Sequence, residues 1–161
     1  MYRTGHYGAA LLAYSPVLYV LASRDRLALA AAGASVVWLL ATLPDVDHRI
    51  PFVEHRGVTH TVAFATFVGA LAAGAAWAMP GFEDVRSWLP AGAGGVAGLA
   101  VVTHLVADAL TPAGVAFLWP ASTHRFSLGV AAADSRVWNA GLLTLGVLAS
   151  ALAALAATPL Y

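Results

Sequence analysis

The sequence predicts an all-α, polytopic membrane protein, with about five transmembrane helices and a His/Asp cluster at one membrane face. The first observation behind this is composition: of 161 residues, 60% are hydrophobic and 10% are charged. Soluble domains average about 45–50% hydrophobic residues and about 25% charged residues. A small soluble protein needs polar residues to cover a surface that is large for its volume. We therefore interpret residues 1–161 as one integral membrane domain.

The second observation is a set of five apolar segments that approach or reach the roughly 20 residues needed to cross a bilayer. The first segment could instead be a signal peptide with Arg3 in its charged region, but four more segments follow without a soluble domain. Gly94 and Gly98 have a spacing that suits close helix packing in lipid. The predicted spans are residues 7–22, 27–43, 58–79, 91–110 and 138–157.

The third observation concerns where the ionisable residues fall when five helices alternate across a bilayer. One side then carries the N-terminus and the loops at 44–57 and 111–137, with five arginines against three on the other side. The positive-inside rule predicts that this side faces the cytoplasm. All six histidines lie on this side or at helix ends that face it, together with three aspartates: His6, His48, His55, His60, His104, His124, Asp45, Asp47 and Asp108.

The remaining composition excludes several classes of function. The net charge is zero, which argues against a nucleic-acid-binding module, since such a module needs a basic patch. The chain has no Cys, so a metal site would have to use His and carboxylate ligands. Neither the G-x-S-x-G motif of serine hydrolases nor the H-E-x-x-H motif of zinc peptidases occurs in the sequence.

Two motifs contain the acidic members of the cluster. His104 and Asp108 have i, i+4 spacing, which puts both on one face of a helix. An ionisable residue within a span costs about 2.5–3.5 kcal/mol and suggests a function, although a buried pair that links helices is the alternative. Asp45 and Asp47 follow Pro44, which we expect to end the second helix.

A third motif, H-R-G-V-T-H-T at 55–61, contains His55 and His60. We expect Thr59 to cap the third helix and to leave His60 in its electropositive first turn. Arg56 and Arg125 could hold a phosphate bidentately, or could anchor the chain at headgroup level.

A divalent cation would compensate the His and Asp residues together. His and carboxylate ligands suit Zn, Mn or Fe, and such a cation activates water and polarises a phosphoryl or acyl group. The carboxylate that is not needed as the first ligand, Asp45 or Asp47, could bind a second metal or act as a general base.

These motifs resemble those of the YdjM-type membrane-bound, metal-dependent hydrolases, a family that is LexA-regulated in some bacteria. The resemblance covers about residues 1–126 and rests on four blocks: Gly5-His6, L-P-D-V-D-H at 43–48, H-R-G-V-T-H-T at 55–61, and H-L-V-A-D-A-L-T-P-A-G-V at 104–115, with Arg125-Phe126 beyond them. The family is distantly similar to zinc-dependent phospholipase C.

The resemblance implies a metal-dependent hydrolase site with Zn as the first choice and Mn or Fe as alternatives. We expect a membrane lipid or another lipid-like phosphoester as substrate, and no nucleic-acid partner; the oligomeric state is left open. The implied ligands are His6, one of Asp45 or Asp47, His60, His104 and Asp108. The candidate catalytic groups are Asp45, Asp47 and His55, and the candidate substrate-binding groups are Arg56 and Arg125.

Three functions remain in competition at this stage. The first is a hydrolase in which a metal-activated water attacks phosphorus. The second is a proton- or ion-coupled transporter. Two observations argue against it: the ionisable groups crowd one face, and the segments 27–43 and 138–157 contain no ionisable group. The third is a non-catalytic protein in which the metal only joins helices. The type 2 phosphatidic acid phosphatases are excluded because their P-S-G-H block is absent.

Overall fold

The computed structural model describes residues 1–52 and 55–158. Within these residues it is all-helical, with one isolated β-bridge between Val115 and Phe126. The predicted all-α class and the five predicted helices are therefore confirmed. The helices are α1 (Arg3–Ala22), α2 (Leu27–Leu40), α3 (Val62–Ala78), α4 (Leu89–Ala109) and α5 (Arg136–Ala157), and three short 3-10 helices span Pro44–Arg49, Val58–His60 and Glu83–Val85.

Two helix ends near the cluster differ from the prediction. Helix α2 ends at Leu40, four residues before Pro44, and Pro44 instead begins the 3-10 helix Pro44–Arg49. Helix α3 begins at Val62, and its cap is Thr61, whose Oγ1 accepts a hydrogen bond from the backbone of Phe64 at 3.0 Å.

The prediction that Thr59 caps α3 was therefore wrong, and so was the placement of His60 in the first turn of that helix. His60 closes the separate 3-10 turn Val58–His60. The reason is that the hydroxyl of Thr59 is already bonded to Asp47, so the capping position moves two residues along the chain.

Helices α1 and α4 lie at the centre of the bundle. Helix α1 packs against α2, α4 and α5, and α4 packs against α1, α2 and α3. One apolar cluster joins α1, α2 and α4 through residues such as Tyr14, Val37 and Ala100. A second joins α3, α4 and the following loop through residues such as Val68, Val101 and Val115. The two central helices thus supply the frame on which the His and Asp side chains are held.

Glycines allow the closest helix contacts. The backbone of Gly8 in α1 lies directly against Leu142 of α5, and Gly146 lies against the carbonyl group of Gly8. A Cβ atom placed on Gly69 of α3 would lie 2.9 Å from the carbonyl oxygen of Gly94 in α4. Gly94 therefore takes part in the close packing that its spacing predicted, which is the way helices commonly associate in lipid.

Two of the described helices, α4 and α5, are long and apolar enough to cross a membrane by length and composition. They contain 21 and 22 residues, and only 6% of the apolar window in α5 is buried inside the protein. Helices α2 and α3 are apolar but shorter, with 14 and 17 residues. Five membrane crossings therefore remain a prediction, as does the single domain.

The loop after α4 folds back over the end of the bundle that carries the cluster. The N–H of Leu128 donates to the carbonyl of Ala109 at 2.8 Å, and that of Ala131 donates to Leu110 at 3.1 Å. These bonds satisfy carbonyl groups that the end of a helix leaves unpaired. The N–H of Val62 likewise donates to Phe117 at 3.0 Å. The start of α3 and the end of α4 are thus tied together by this loop.

Candidate metal centre

The orientation of His104 is fixed by a backbone group. Its Nδ1 lies 2.8 Å from the carbonyl oxygen of Ala41, just after the end of α2. A carbonyl oxygen only accepts hydrogen bonds, so Nδ1 of His104 must carry the proton. In the neutral imidazole the other nitrogen, Nε2, then presents a lone pair to the interior of the site, where His104 is fully buried.

His60 has the same tautomer for a different reason. Its Nδ1 lies 3.0 Å from Thr59 Oγ1 and 3.3 Å from Asp47 Oδ2. The hydroxyl of Thr59 donates its only proton to Asp47 Oδ2 at 2.9 Å, so it can only accept from His60. Both neighbours of Nδ1 are acceptors, and the Nε2 atom of His60 again carries a lone pair.

The two lone pairs face each other across a short gap. Nε2 of His60 and Nε2 of His104 are 3.2 Å apart, and with both protons on Nδ1 neither can donate to the other. Two imidazole nitrogens on one tetrahedral zinc ion, at about 2.0–2.1 Å each, are separated by about 3.3–3.4 Å. The observed spacing is close to that of two ligands of one cation.

Two carboxylates complete this group of atoms. Asp45 Oδ1 lies 3.5 Å from His104 Nε2 and 3.7 Å from His60 Nε2. Asp108 Oδ2 lies 3.8 Å and 3.7 Å from the same two nitrogens. The Asp45 side chain is 22% exposed, whereas those of His60, His104 and Asp108 are at most 1% exposed. The group therefore opens to its surroundings on the side of Asp45.

His6 is the least satisfied polar residue described. It is 1% exposed, its ring stacks on that of His104 with centroids 3.7 Å apart, and its Nε2 lies 3.6 Å from Asp108 Oδ1. Among residues 1–52 and 55–158 neither ring nitrogen has a hydrogen-bond partner. A buried polar group left in this way costs about 1–3 kcal/mol, so the chemistry of His6 fits a cation ligand.

Asp108 is also paired with two positive groups. Arg56 Nη2 lies 3.0 Å from Oδ2, and the amino nitrogen of Met1 lies 2.9 Å from Oδ1. Arg56 is buried, donates through Nη1 to the carbonyl of Gly114 at 3.0 Å, and has a φ of 61°. A residue other than glycine has a strained backbone at such a φ, and strain of this kind concentrates at functional sites.

A second group of ionisable side chains lies further out. His55 Nδ1 donates to Asp47 Oδ1 at 3.0 Å, and the ring of His48 lies 3.6 Å from that of His55, centroid to centroid. Asp47 is buried, but both histidines are substantially exposed. Three sets of these side chains could hold a metal ion: His6, His104 and Asp108; Asp45, His60 and His104; and Asp45, Asp47, His48 and His55.

Charge states in the connecting segments agree with this geometry. Burial would raise the pKa of the Asp45 carboxyl, but its contacts with His104 and His60 outweigh burial and hold that pKa far below its usual range. Burial lowers the pKa of His60 below its ordinary value of 6.5, despite the nearby carboxylates. Asp45 is therefore ionised and His60 neutral near neutral pH, as ligands of a cation must be.

The structure brings together the predicted ligands His6, His60, His104 and Asp108 with Asp45 as the carboxylate from the Asp45/Asp47 pair. Asp47 shares a third set with Asp45, His48 and His55, but its position relative to His60 differs from that of Asp45: Asp45 faces the Nε2 atoms, and Asp47 lies on the Nδ1 side of His60. His55 contacts Asp47. Arg56 is paired with Asp108, and Arg125 and His124 are exposed in the loop after α4.

Three participants were not foreseen from the sequence. Thr59 was assigned to a helix cap, although it directly precedes His60 within a motif of chemically active residues. The carbonyl of Ala41 leaves no signal in a sequence at all. Asn139, which is buried beside the start of α1, is a polar residue near the start of an otherwise apolar segment, and that was a usable signal.

The fold and the cluster define a helical membrane protein with buried His and Asp side chains that could hold a metal ion. The family model described as YdjM inner membrane protein matches residues 1–160. The chain belongs to this family of inner membrane proteins, which confirms the resemblance. No curated protein and no solved structure matches the chain.

Proposed function

We propose that the chain is a membrane-embedded, metal-dependent hydrolase that cleaves phosphoester bonds of a lipid-like substrate. One observation carries the proposal: the lone pairs of His60 Nε2 and His104 Nε2 face each other at 3.2 Å, with the opposite nitrogen of each ring already committed. Such an arrangement is repulsive unless a cation lies between the nitrogens. We expect zinc there first, with Mn or Fe as alternatives.

The remaining ligands come from carboxylates and from His6. Asp45 Oδ1 and Asp108 Oδ2 complete a set of four atoms around one position, and His6 lies beside the other oxygen of Asp108. A divalent cation held by this set lowers the pKa of bound water and polarises a phosphoryl oxygen. Asp47 fixes the ring of His60 from behind, as carboxylates commonly do for metal-binding histidines.

The open side of the centre suggests where the substrate enters. Asp45 is the partly exposed member, so a scissile phosphate reaching the centre would pass this carboxylate. The exposed Arg125 is free of the ion pair that holds Arg56 on Asp108, and we assign it first contact with the substrate phosphate. Arg56, by contrast, is bonded to Asp108 and to the carbonyl of Gly114.

The position of the centre supports a lipid-like substrate. The ligands lie near the starts of α1 and α3 and the ends of α2 and α4. The chain belongs to a family of inner membrane proteins, and lipid headgroups are found at the ends of helices that cross a membrane. The arginine excess of the same side favours the cytoplasmic face.

Turnover of phospholipids and synthetic phosphodiesters by detergent-purified protein tests the proposal. We expect hydrolysis that a chelator abolishes and that Zn²⁺ or Mn²⁺ restores, and that is lost in Asp108→Asn. His124→Ala is the matched control, because His124 is an exposed histidine of the same face. Full turnover by metal-free protein would contradict the proposal.

A metal that only joins helices is a second candidate, favoured by the number of elements that meet at the centre. His6 belongs to α1, His60 to the turn before α3, and His104 to α4, whose Nδ1 is bonded to the end of α2. Metal binding without hydrolysis of any phosphoester, combined with a large fall in the thermal midpoint on chelation, would favour this function over the hydrolase.

A further inference from the structure

Asn139 connects the start of α5 to the start of α1. It is 1% exposed, its Oδ1 accepts a hydrogen bond from the backbone N–H of Tyr2 at 2.9 Å, and its Nδ2 donates to the carbonyls of Ala133 at 3.1 Å and Ser135 at 2.7 Å. These partners define the orientation of the amide, because an N–H needs an acceptor and carbonyls need a donor. The side chain is therefore held in one position by three bonds.

The amide lies next to the residue that carries a candidate ligand. Tyr2 is the residue before α1, and a Cβ atom on Gly5 would collide with Asn139 Oδ1. His6 is the next residue along the chain. The glycine at position 5 thus leaves room for the amide, and the amide binds the backbone of Tyr2, one helical turn before His6.

His6 differs from the other two candidate histidine ligands in how its ring is held. Nδ1 of His60 and Nδ1 of His104 are each bonded to an acceptor, which is the usual way a metal-binding histidine is oriented. Neither nitrogen of His6 has such a partner among the residues that the structure describes. Its orientation depends on its stacking against His104 and on the position of its own backbone.

We propose that Asn139 is a positioning residue that holds the first turn of α1 so that His6 stacks on His104 and lies beside Asp108 Oδ1. The inference rests on the proposed metal centre, and it assigns to α5 a part in that centre although α5 supplies no ligand. Without the amide, the backbone N–H of Tyr2 and the carbonyl of Ala133 lose their partner. The carbonyl of Ser135 then keeps only the backbone N–H of residue 139, and the first turn of α1 is released.

The test uses Co²⁺ as the probe, because its visible absorption reports the ligands of the ion. The full-length protein is purified in detergent, stripped with a chelator and titrated with Co²⁺ as wild type, His6→Ala, Asn139→Ala and Ser150→Ala. Ser150 is the matched control, since its Oγ also joins α5 to the backbone of α1, at the carbonyl of Leu11, away from the cluster. Gly5→Ala is a second route to the same effect, because its methyl group displaces the amide.

We expect Asn139→Ala and Gly5→Ala to shift the Co²⁺ spectrum towards that of His6→Ala and to weaken Co²⁺ binding about 10- to 100-fold, the usual range for loss of an orienting partner. Ser150→Ala should match the wild type. Wild-type spectra in both Asn139→Ala and Gly5→Ala, or a wild-type spectrum in His6→Ala, would overturn the inference while leaving the metal centre intact. No Co²⁺ bound by the wild type would overturn the metal centre itself, and the inference with it.

Discussion

Nε2 of His60 and Nε2 of His104 lie 3.2 Å apart, and each ring is held from behind by an oxygen atom that accepts a hydrogen bond from its Nδ1. The two rings come from different elements, the turn before α3 and the end of α4. Their lone pairs are therefore directed to one point by contacts that lie outside the candidate ligand set. A centre organised in this way could hold a cation.

Asp45 and Asp47 lie on opposite sides of the His60 ring, which leads to a prediction about their roles. We expect Asp45→Asn to abolish tight binding of Zn²⁺, because Asp45 Oδ1 faces both Nε2 atoms. Asp47→Asn should weaken binding about 10- to 100-fold, since Asp47 acts through the ring of His60. Competition titration with a chromophoric chelator measures both, with the exposed Asp134→Asn as control. Equal losses in the two variants would contradict this assignment.

The two threonines that flank His60 should affect different properties. Thr61 caps α3, so Thr61→Ala should lower the free energy of unfolding by about 1 kcal/mol and leave metal affinity unchanged. Thr59 bonds Asp47 and His60, so Thr59→Ala should weaken metal binding. Thermal midpoints and metal titrations of both variants test the pair, and the prediction fails if the two variants have interchanged effects.

The contact between α1 and α5 should tolerate no added methyl group. Gly8→Ala would place a Cβ against the backbone of Leu142, and overpacking of this kind typically costs about 1–3 kcal/mol. Gly141→Ala is the matched control, because the same methyl group at Gly141 of α5 meets nothing within 4 Å. We expect a lower thermal midpoint for Gly8→Ala only. Equal midpoints in the two variants would rule out this contact.

The stability of the metal-free protein should depend on pH through Asp47. Burial would raise the pKa of this carboxyl, but hydrogen bonds from His55, Thr59 and the backbone of Arg56 outweigh burial and hold the pKa below its usual value. A lowered pKa in the folded state stabilises the protein above the unfolded-state pKa of about 3.9, and this contribution is lost as the pH falls through the folded-state pKa.

Thermal scans of the wild type and of Asp47→Asn, both in a chelator, measure this effect. The wild type should be the more stable at neutral pH, and the difference between the two midpoints should shrink as the pH falls below the unfolded-state pKa of about 3.9. A difference that stays constant over this range would show that ionised Asp47 does not stabilise the fold.

Much of the fold was predictable because apolar helices have a simple sequence pattern. The five helices were found from apolar length alone, and His104 and Asp108 were paired from their i, i+4 spacing. The end of α2 and the start of α3 were not predictable, because they depend on contacts between distant residues. The hydroxyl of Thr59, for example, does not cap α3 because it donates a hydrogen bond to Asp47, twelve residues earlier.

The positions of the individual side chains within the site could be obtained only from the structure. Asp45 and Asp47 have the same side chain and lie two residues apart. The 3-10 helix Pro44–Arg49 directs Asp45 to the Nε2 atoms and Asp47 to the Nδ1 side of His60. Arg56 could be assigned to a phosphate by its charge, yet the fold pairs it with Asp108. Spacing along the chain carries no information about such pairings.

Metal content, measured by mass spectrometry on detergent-purified protein, tests the central claim most directly. The samples are wild type, His60→Ala, Asp108→Ala and the exposed-histidine control His124→Ala. The account predicts at least one equivalent of Zn, Mn or Fe in the wild type and in His124→Ala, and its loss in the other two variants. A wild type that holds no metal, even after incubation with each ion, would contradict it.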